Sequence, residues 1–437
     1  MALSIGAAQR NISPPLGTHM AGYYHVRPAS AVHDDLYARA MVIDDGSTTI
    51  ALVTCDLVSI REESVVNARE QVAQATAIPG GNVLVCCTHT HTGPITRGDR
   101  SAATFGSMSE TYMATLEAQI AGAVTEAWAT RSPGTLRIGK SQETRIAFNR
   151  RFHMRDGSVK TNPGKDNPDV IRPVGPIDPD VYALLAESNQ GDPIGVLVNY
   201  SLHADTTGGD QISADYSGWM EKHLRNMSPE LDEAVVLYAN GFCGDINHVN
   251  VNDPNQLKGF EESERIGRAL AESATQALSH LEPIKGESVH ASQKTEALPA
   301  VVPTEEDIAW AREAVEASPR GGGPGRDDLV KAHRDLALQE LNRQHFDTEV
   351  QVLAVGNVAI TALPGEIFVE LGLSIKERSP FEHNLLAELA NGNLGYICTE
   401  AAYPQGAYEP TSSRVLPGSG EQLVRAALAL QQEISTA

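Results

Sequence analysis

Five times along this chain a strand-sized apolar run ends in a short polar motif built from His, Asp, Glu or Tyr. The runs are Asn82–Cys87, Ile194–Tyr200, Ala234–Tyr238, Val358–Ala362 and Asn391–Cys398. Asn82–Cys87, Ile194–Tyr200 and Ala234–Tyr238 lack the apolar–polar alternation of a half-solvated strand and read as strands covered on both faces. Between them, Glu63–Ala77, Ser109–Ala129 and Glu261–Leu281 carry apolar residues at helical spacing. The combination predicts an α/β fold: a mixed β-sheet core flanked by helices, with an active site at the carboxyl ends of strands.

No composition break divides the 437 residues, and 1–437 reads as a single catalytic unit. Residues 303–345 read as two polar helices joined by the Gly-rich stretch Arg320–Arg326, a peripheral hairpin whose joint lacks the Lys-Ser/Thr ending of a phosphate loop. Asn149–Asp180 is rich in Pro, Gly and charge, a long connection of the kind that lines active sites.

Charge narrows the partners. The 34 Lys and Arg against 56 Asp and Glu give a formal charge of −22, which opposes binding to nucleic acid and to an anionic membrane surface. No apolar run approaches the roughly 18 residues of a membrane span. The first residues lack a basic segment followed by a long apolar one, so no secretory signal is expected. Five scattered cysteines, two of them adjacent at Cys86 and Cys87 inside a strand, read as reduced core residues of a cytoplasmic protein. The expected partner is a small-molecule substrate, without nucleic acid or stable membrane association; a homo-oligomer is compatible with the sequence.

The sharpest motif is Thr88-His-Thr-His-Thr-Gly-Pro94. Residues two apart at a strand end share a face, so His89 and His91 can enter one site, either as satisfied turn residues or as ligands of a metal such as Zn²⁺. His203 closes a second strand in the parallel position. Behind it, Asp215 reads as a helix cap or as a partner orienting a ligand. Gly241–Asn250 contains Gly244, whose lack of a side chain lets backbone amides approach a ligand, and Asp245, which could orient a histidine; an ordinary tight turn is the equal alternative. Glu366 follows Leu363-Pro364-Gly365 and stands at a helix start. Tyr403 lies in the polar loop after Asn391–Cys398.

In this order the motifs THTHTGP, NYSLH, CGD, LPGE and EAAYPQGAYE resemble the catalytic domain of the neutral/alkaline ceramidases. Met20-Ala-Gly-Tyr23 and Phe148-Asn-Arg-Arg151 are further likenesses, and the resemblance runs from Ser4 to about Gln422. It implies one Zn²⁺ per chain held by His89, His203, Glu366 and Tyr403, with His91 beside the metal in proton transfer or oxyanion stabilisation. Two departures qualify it. The family's Ser after Gly-Asp-Val is replaced by Asn247, which removes a serine-dependent mechanism at that position, and the family's C-terminal immunoglobulin-like domain is not in this sequence.

The expected chemistry is therefore hydrolysis of an N-acyl amide of a small soluble substrate by water activated at zinc. His91 and Tyr403 would assist, and Asn247 and the Gly244 backbone would hold the substrate. Arg150 or Arg151 would pair with a substrate carboxylate or form an ordinary salt bridge. Ester or lactone hydrolysis at the same zinc is the first alternative, and a non-catalytic binding protein the second.

Overall fold

The computed structural model describes residues 3–98, 102–318 and 325–436. Its largest element is a mixed sheet of nine strands. We number eight of them: β1 (Leu3–Asn11), β2 (Tyr37–Asp44), β3 (Thr49–Cys55), β4 (Val83–Cys87), β5 (Ser132–Gln142), β6 (Asp180–Ser188), β7 (Pro193–Tyr200) and β8 (Val235–Asn240). Their spatial order is β8-β7-β6-β5-β1-β2-β3-β4, and the short Glu282–Pro283 strand joins alongside β5. The β3/β4 and β7/β8 pairs are parallel; the others are antiparallel.

Both faces of this sheet are covered, which explains the unbroken apolar runs. On β2, Ala38, Ala40 and Val42 pack under helices α1 (Glu62–Thr76) and α2 (Glu110–Thr130), while Met41 and Ile43 enter a second core on the opposite face. The adjacent cysteines obey the same alternation: Cys87 faces the helices and Cys86 the second core. At the other end of the sheet, α3 (Tyr216–Met227) and α4 (Gly259–Leu278) cover β6, β7 and β8. All five cysteines are buried and unbridged.

The second core is closed by a four-stranded sheet: β9 (Val289–Pro299), β10 (His345–Val355), β11 (Val358–Ala362) and β12 (His383–Ala387). Leu353, Val355, Ile360 and Leu385 pack inward against Leu84, Leu197 and Leu237 of the large sheet. Val350 and Val352 face outward to α7 (Val369–Arg378) and α8 (Ser419–Ser435). The architecture is thus helices, sheet, sheet, helices. The large sheet also curls, so that its edge strand β8 touches β2, β3 and β4. That curl brings the carboxyl ends of β4 and β7, distant in strand order, to one place, with the end of β11 beside them.

Close approach of a helix fixes one strand position. A Cβ at Gly139 of β5 would lie 2.0 Å from the Ala277 carbonyl oxygen of α4, backbone that cannot yield. Gly139→Ala is therefore expected to destabilise the fold by about 1–3 kcal/mol, as overpacking does. A urea midpoint equal to wild type would show that the helix shifts freely.

The hairpin forms from α5 (Glu305–Ala317), started by a Thr304/Asp307 capping box, and α6 (Arg326–Leu341). Most of its Gly-rich joint, residues 319–324, lies outside the described residues. The hairpin is anchored to the rest of the fold through α6. The Arg334 guanidinium of α6 donates to the carbonyls of Thr411 and Ser413, and α6 packs on the short helix Tyr408–Ser412 at the edge of the site. Asn149–Asp180 also differs from a plain loop: Arg151–Met154, Val159–Thr161 and Val170–Pro173 form a small three-stranded sheet.

Candidate metal centre

The chain after β4 makes a sharp backbone excursion. His89 has φ 72°, a left-handed conformation rare for a non-glycine residue and often found at functional sites. The His89 amide donates to the Leu57 carbonyl, and its ring Nδ1 to the Val58 carbonyl at 2.8 Å. That second bond fixes the tautomer and leaves the Nε2 lone pair free to bind.

His89 Nε2 lies 3.0 Å from His203 Nε2, 3.4 Å from His91 Nε2 and 3.6 Å from Glu366 Oε2. The three imidazoles together form a set able to hold a metal ion. Four donors at bonds of about 2.0 Å stand roughly 3.3 Å apart around a tetrahedral Zn²⁺, close to these separations. With the Nε2 of His89 left as an acceptor, the facing lone pairs of neutral His89 and His203 repel unless a cation or a proton lies between them.

Electrostatics supports a cation at this point. Burial, followed by His89, pulls His203 well below the ordinary histidine range; the same causes bring His91 down to about 4. Both are therefore neutral near pH 7, as ligands must be. Burial opposes ionisation of Glu366, but its contacts with His89, His203 and Tyr396 outweigh that and hold it well below the usual carboxylate range. Burial alone would lower His89, yet Glu366 raises it. A buried carboxylate thus requires a positive partner, which is either a proton on His89 or a metal in its place.

Tyr403 stands elsewhere, correcting the ligand assignment. Its hydroxyl is 3.0 Å from Ser413 Oγ and donates to the Val415 carbonyl at 3.0 Å, tying down the 413–415 segment. The tyrosine beside the metal set is Tyr396. Glu366–Ile367 pairs in parallel with Tyr396–Ile397, placing Tyr396 opposite Glu366, and the Glu366 carboxylate adds to burial in pushing the Tyr396 hydroxyl well above the ordinary tyrosine range. Tyr396→Phe should weaken metal affinity about 10- to 100-fold, the usual effect of losing a ligand or its hydrogen-bond partner. Tyr403→Phe should leave metal content at the wild-type level. Competition titration with a zinc chelator measures both, and the reverse pattern would reinstate Tyr403.

The arginines are also reassigned. Arg150 Nε pairs with Glu409 at 2.8 Å, and its Nη2 donates to the Gly244 carbonyl at 2.7 Å and to the Tyr396 hydroxyl at 3.0 Å. Arg151 reaches Gln405, the Gly406 carbonyl and, at 3.8 Å, Glu409. Both are fully buried in the protein's own ion pairs instead of awaiting a substrate carboxylate.

Gly244 and Asn247 likewise have structural tasks. A Cβ at Gly244 would meet the Glu366 carbonyl at 2.4 Å, so the glycine permits close backbone packing beside the ligand and leaves no space there for substrate. Asn247 is buried, donating to Asn162 and accepting from the Val249 amide. Asp245 orients no histidine; it accepts from the Val369 amide at the start of α7 and from Asn149. Asp215 is the N-cap of α3 and also accepts from the Thr206 and Thr207 amides, anchoring the loop after His203.

His89, His91, Glu366 and Tyr396 line one cavity of about 340 Å³. Its remaining wall mixes Tyr23, Tyr24, Val58, Ile95, Phe105 and Met108 with a few polar groups, the pattern of a small-molecule site. The Tyr23 ring meets His91 edge-on at 5.7 Å. His203 closes the set from behind, fully buried. No helix among the described residues is long and apolar enough to cross a membrane.

Comparison with known proteins places the family and the fold. Residues 3–255 match the family model of the neutral/alkaline non-lysosomal ceramidase N-terminal domain. The fold is similar to the crystal structure of neutral ceramidase from Pseudomonas aeruginosa, with TM-score 0.77 and 17% identity over 100% of this chain and 75% of that one. It is similar too to a ceramidase complexed with C2, with TM-score 0.76 and 15% identity over 100% of this chain and 76% of the other.

Proposed function

Since this chain belongs to the neutral/alkaline non-lysosomal ceramidase family, we propose that it is a zinc-dependent hydrolase that cleaves an N-acyl amide bond. The observation that carries the reading is the convergence of His203 and Glu366 on His89 Nε2, at 3.0 and 3.6 Å, with His89 and Glu366 on the wall of a cavity part aromatic and part polar.

His89, His203 and Glu366, joined by Tyr396, would hold the metal. Zinc bound there would polarise a carbonyl and make a water nucleophilic near neutral pH. The chain's own groups do the rest. Glu366 supplies the negative charge that favours a divalent cation over a proton. Val58 fixes the His89 ring, and Arg150 fixes the Tyr396 hydroxyl. His91, neutral and facing the cavity, accepts a hydrogen bond from the attacking water or passes a proton to the leaving nitrogen. The water oxygen joins the carbonyl carbon, the C–N bond breaks, and the products are a carboxylic acid and an amine. With Asn247 packed away from the cavity, nothing in this sequence of events calls on a serine there.

The cavity wall, part aromatic and part polar, suits a small N-acyl compound. Metal content measured alongside a panel of N-acyl amino acids, acyl amines, lactones and ceramide tests the proposal. Zinc-dependent release of amine is expected; cleavage confined to lactones would replace the amide reading with the lactonase one. Absence of any turnover in zinc-loaded protein would favour a binding role.

A further inference from the structure

Glu388, directly after β12, is a carboxyl that the chemistry above does not use. Its side chain is fully buried. Three donors converge on it: Oε2 accepts from the Cys243 amide at 3.0 Å and the Ile367 amide at 3.1 Å, and Oε1 from the Cys243 thiol at 2.9 Å. Taking a carboxyl out of water is costly, so its presence there calls for a physical reason.

The reason lies in the strand that carries the metal ligand. Glu366 and Phe368 turn their amides toward the neighbouring strand and donate to the Gly395 and Ile397 carbonyls. Ile367, between them, turns its backbone the other way. Among the described residues no third strand continues that small sheet. The Ile367 carbonyl is met by the Gly244 amide at 2.8 Å, and the Ile367 amide by Glu388. A buried amide without that acceptor would bear its full desolvation penalty. Glu388 thus supplies the hydrogen bond that a further strand would give, one residue from Glu366.

The same carboxyl reaches the facing wall. The Cys243 amide belongs to the turn after β8, and the next residue, Gly244, packs against the Glu366 carbonyl. The Glu388 amide donates to the Asn240 carbonyl at the end of β8, at 3.1 Å. Beyond it, the Leu389 and Ala390 amides donate to the Gly365 and Leu363 carbonyls, and Asn391 exchanges two hydrogen bonds with Val85 of β4. Leu389 and Asn391 have φ 50° and 58°, so two non-glycine residues of this buried stretch are left-handed. Strained backbone of this kind persists where its surroundings fix it. Residues 387–391 therefore tie β4 to the ends of β8 and β11.

We infer that Glu388 is a positioning residue of the metal centre, setting the Glu366 ligand by holding the Ile367 amide on one side and the Cys243–Gly244 turn on the other. This rests on the metal-centre reading and adds to it the group that fixes the carboxylate in place. Glu388 is not on the wall of the metal-centre cavity, so it acts through Glu366 and not on the substrate.

Three variants test it. Glu388→Ala strands both amides, and Glu388→Asp keeps the acid but withdraws it by one methylene. Glu388→Gln keeps an oxygen for the two amides and turns its nitrogen to the Cys243 sulfur, a weak acceptor. In chelator competition Glu388→Ala and Glu388→Asp are expected to bind zinc about 10- to 100-fold more weakly than wild type, the usual effect of losing a group that orients a ligand. Glu388→Gln should stay close to wild type. The visible absorption of the cobalt(II) forms follows coordination geometry, and it should change in the Ala and Asp variants and match wild type in Gln. Gly139→Ala, destabilised where β5 meets α4, should lower the urea midpoint and leave zinc affinity and the cobalt spectrum unchanged, which separates positioning from stability alone. If Glu388→Ala does not fold, Glu388→Asp carries the test. Wild-type zinc affinity and cobalt spectrum in Glu388→Asp or in folded Glu388→Ala, or a Glu388→Gln as impaired as those two, overturns the inference and leaves the metal centre standing. Wild type that takes up neither ion would remove the metal centre, and the role of Glu388 with it.

Discussion

His203→Ala is expected to lose its zinc and its amide-hydrolase activity together, the latter by roughly three orders of magnitude or more. The ring is buried behind the cavity, 3.0 Å from His89 Nε2, so its removal deletes one corner of the donor set and leaves a buried void beside Glu366. Zinc should raise the thermal stability of wild type, because a metal that binds only the folded state stabilises it by about 2.7 kcal/mol at a hundredfold excess over Kd. The variant should show no such rise. This readout separates loss of metal from loss of activity. A variant that keeps stoichiometric zinc and turnover would remove His203 from the site.

The second large effect is expected on stability. Glu409 is completely buried, with Arg150 Nε at 2.8 Å, the Thr161 hydroxyl at 2.7 Å and Arg151 Nη1 at 3.8 Å. Glu409→Ala would strand two guanidiniums in the interior. Breaking a buried ion pair from one side costs about 3–5 kcal/mol, because the remaining charge loses its partner without regaining water. The damage should also reach the metal set, since Arg150 donates to the Tyr396 hydroxyl. Urea unfolding measures the first effect and chelator competition the second. Wild-type values in both would mean that Arg150 is held by its remaining contacts with Gly244 and Tyr396.

The parts of the site that were legible in the sequence are those where a local rule forces the outcome. Strands covered on both faces must be apolar throughout, so β4, β7 and β11 stand out, and the polar residues at their carboxyl ends mark His89, His91, His203 and Glu366. Tyr396 was hidden because its place depends on a two-residue parallel pairing with Glu366, a contact across 30 positions that no spacing encodes. Tyr403 has the same chemistry seven residues later and points to Val415 instead. Arg150 and Arg151 looked like substrate ligands because their partner, Glu409, lies some 260 residues away. Strand β9 escaped notice for another reason: Gln293, Lys294 and Thr295 are exposed, so an edge strand paired with β10 along its length carries little apolar signal.

The most direct measurement is elemental analysis of the purified protein combined with X-ray anomalous scattering at the zinc edge. About one zinc per chain is expected, with the anomalous peak bonded to His89 Nε2, His203 Nε2 and the Glu366 carboxylate. Full amide-hydrolase activity in metal-free protein, or a peak away from those three side chains, would contradict the metal centre and the function built on it.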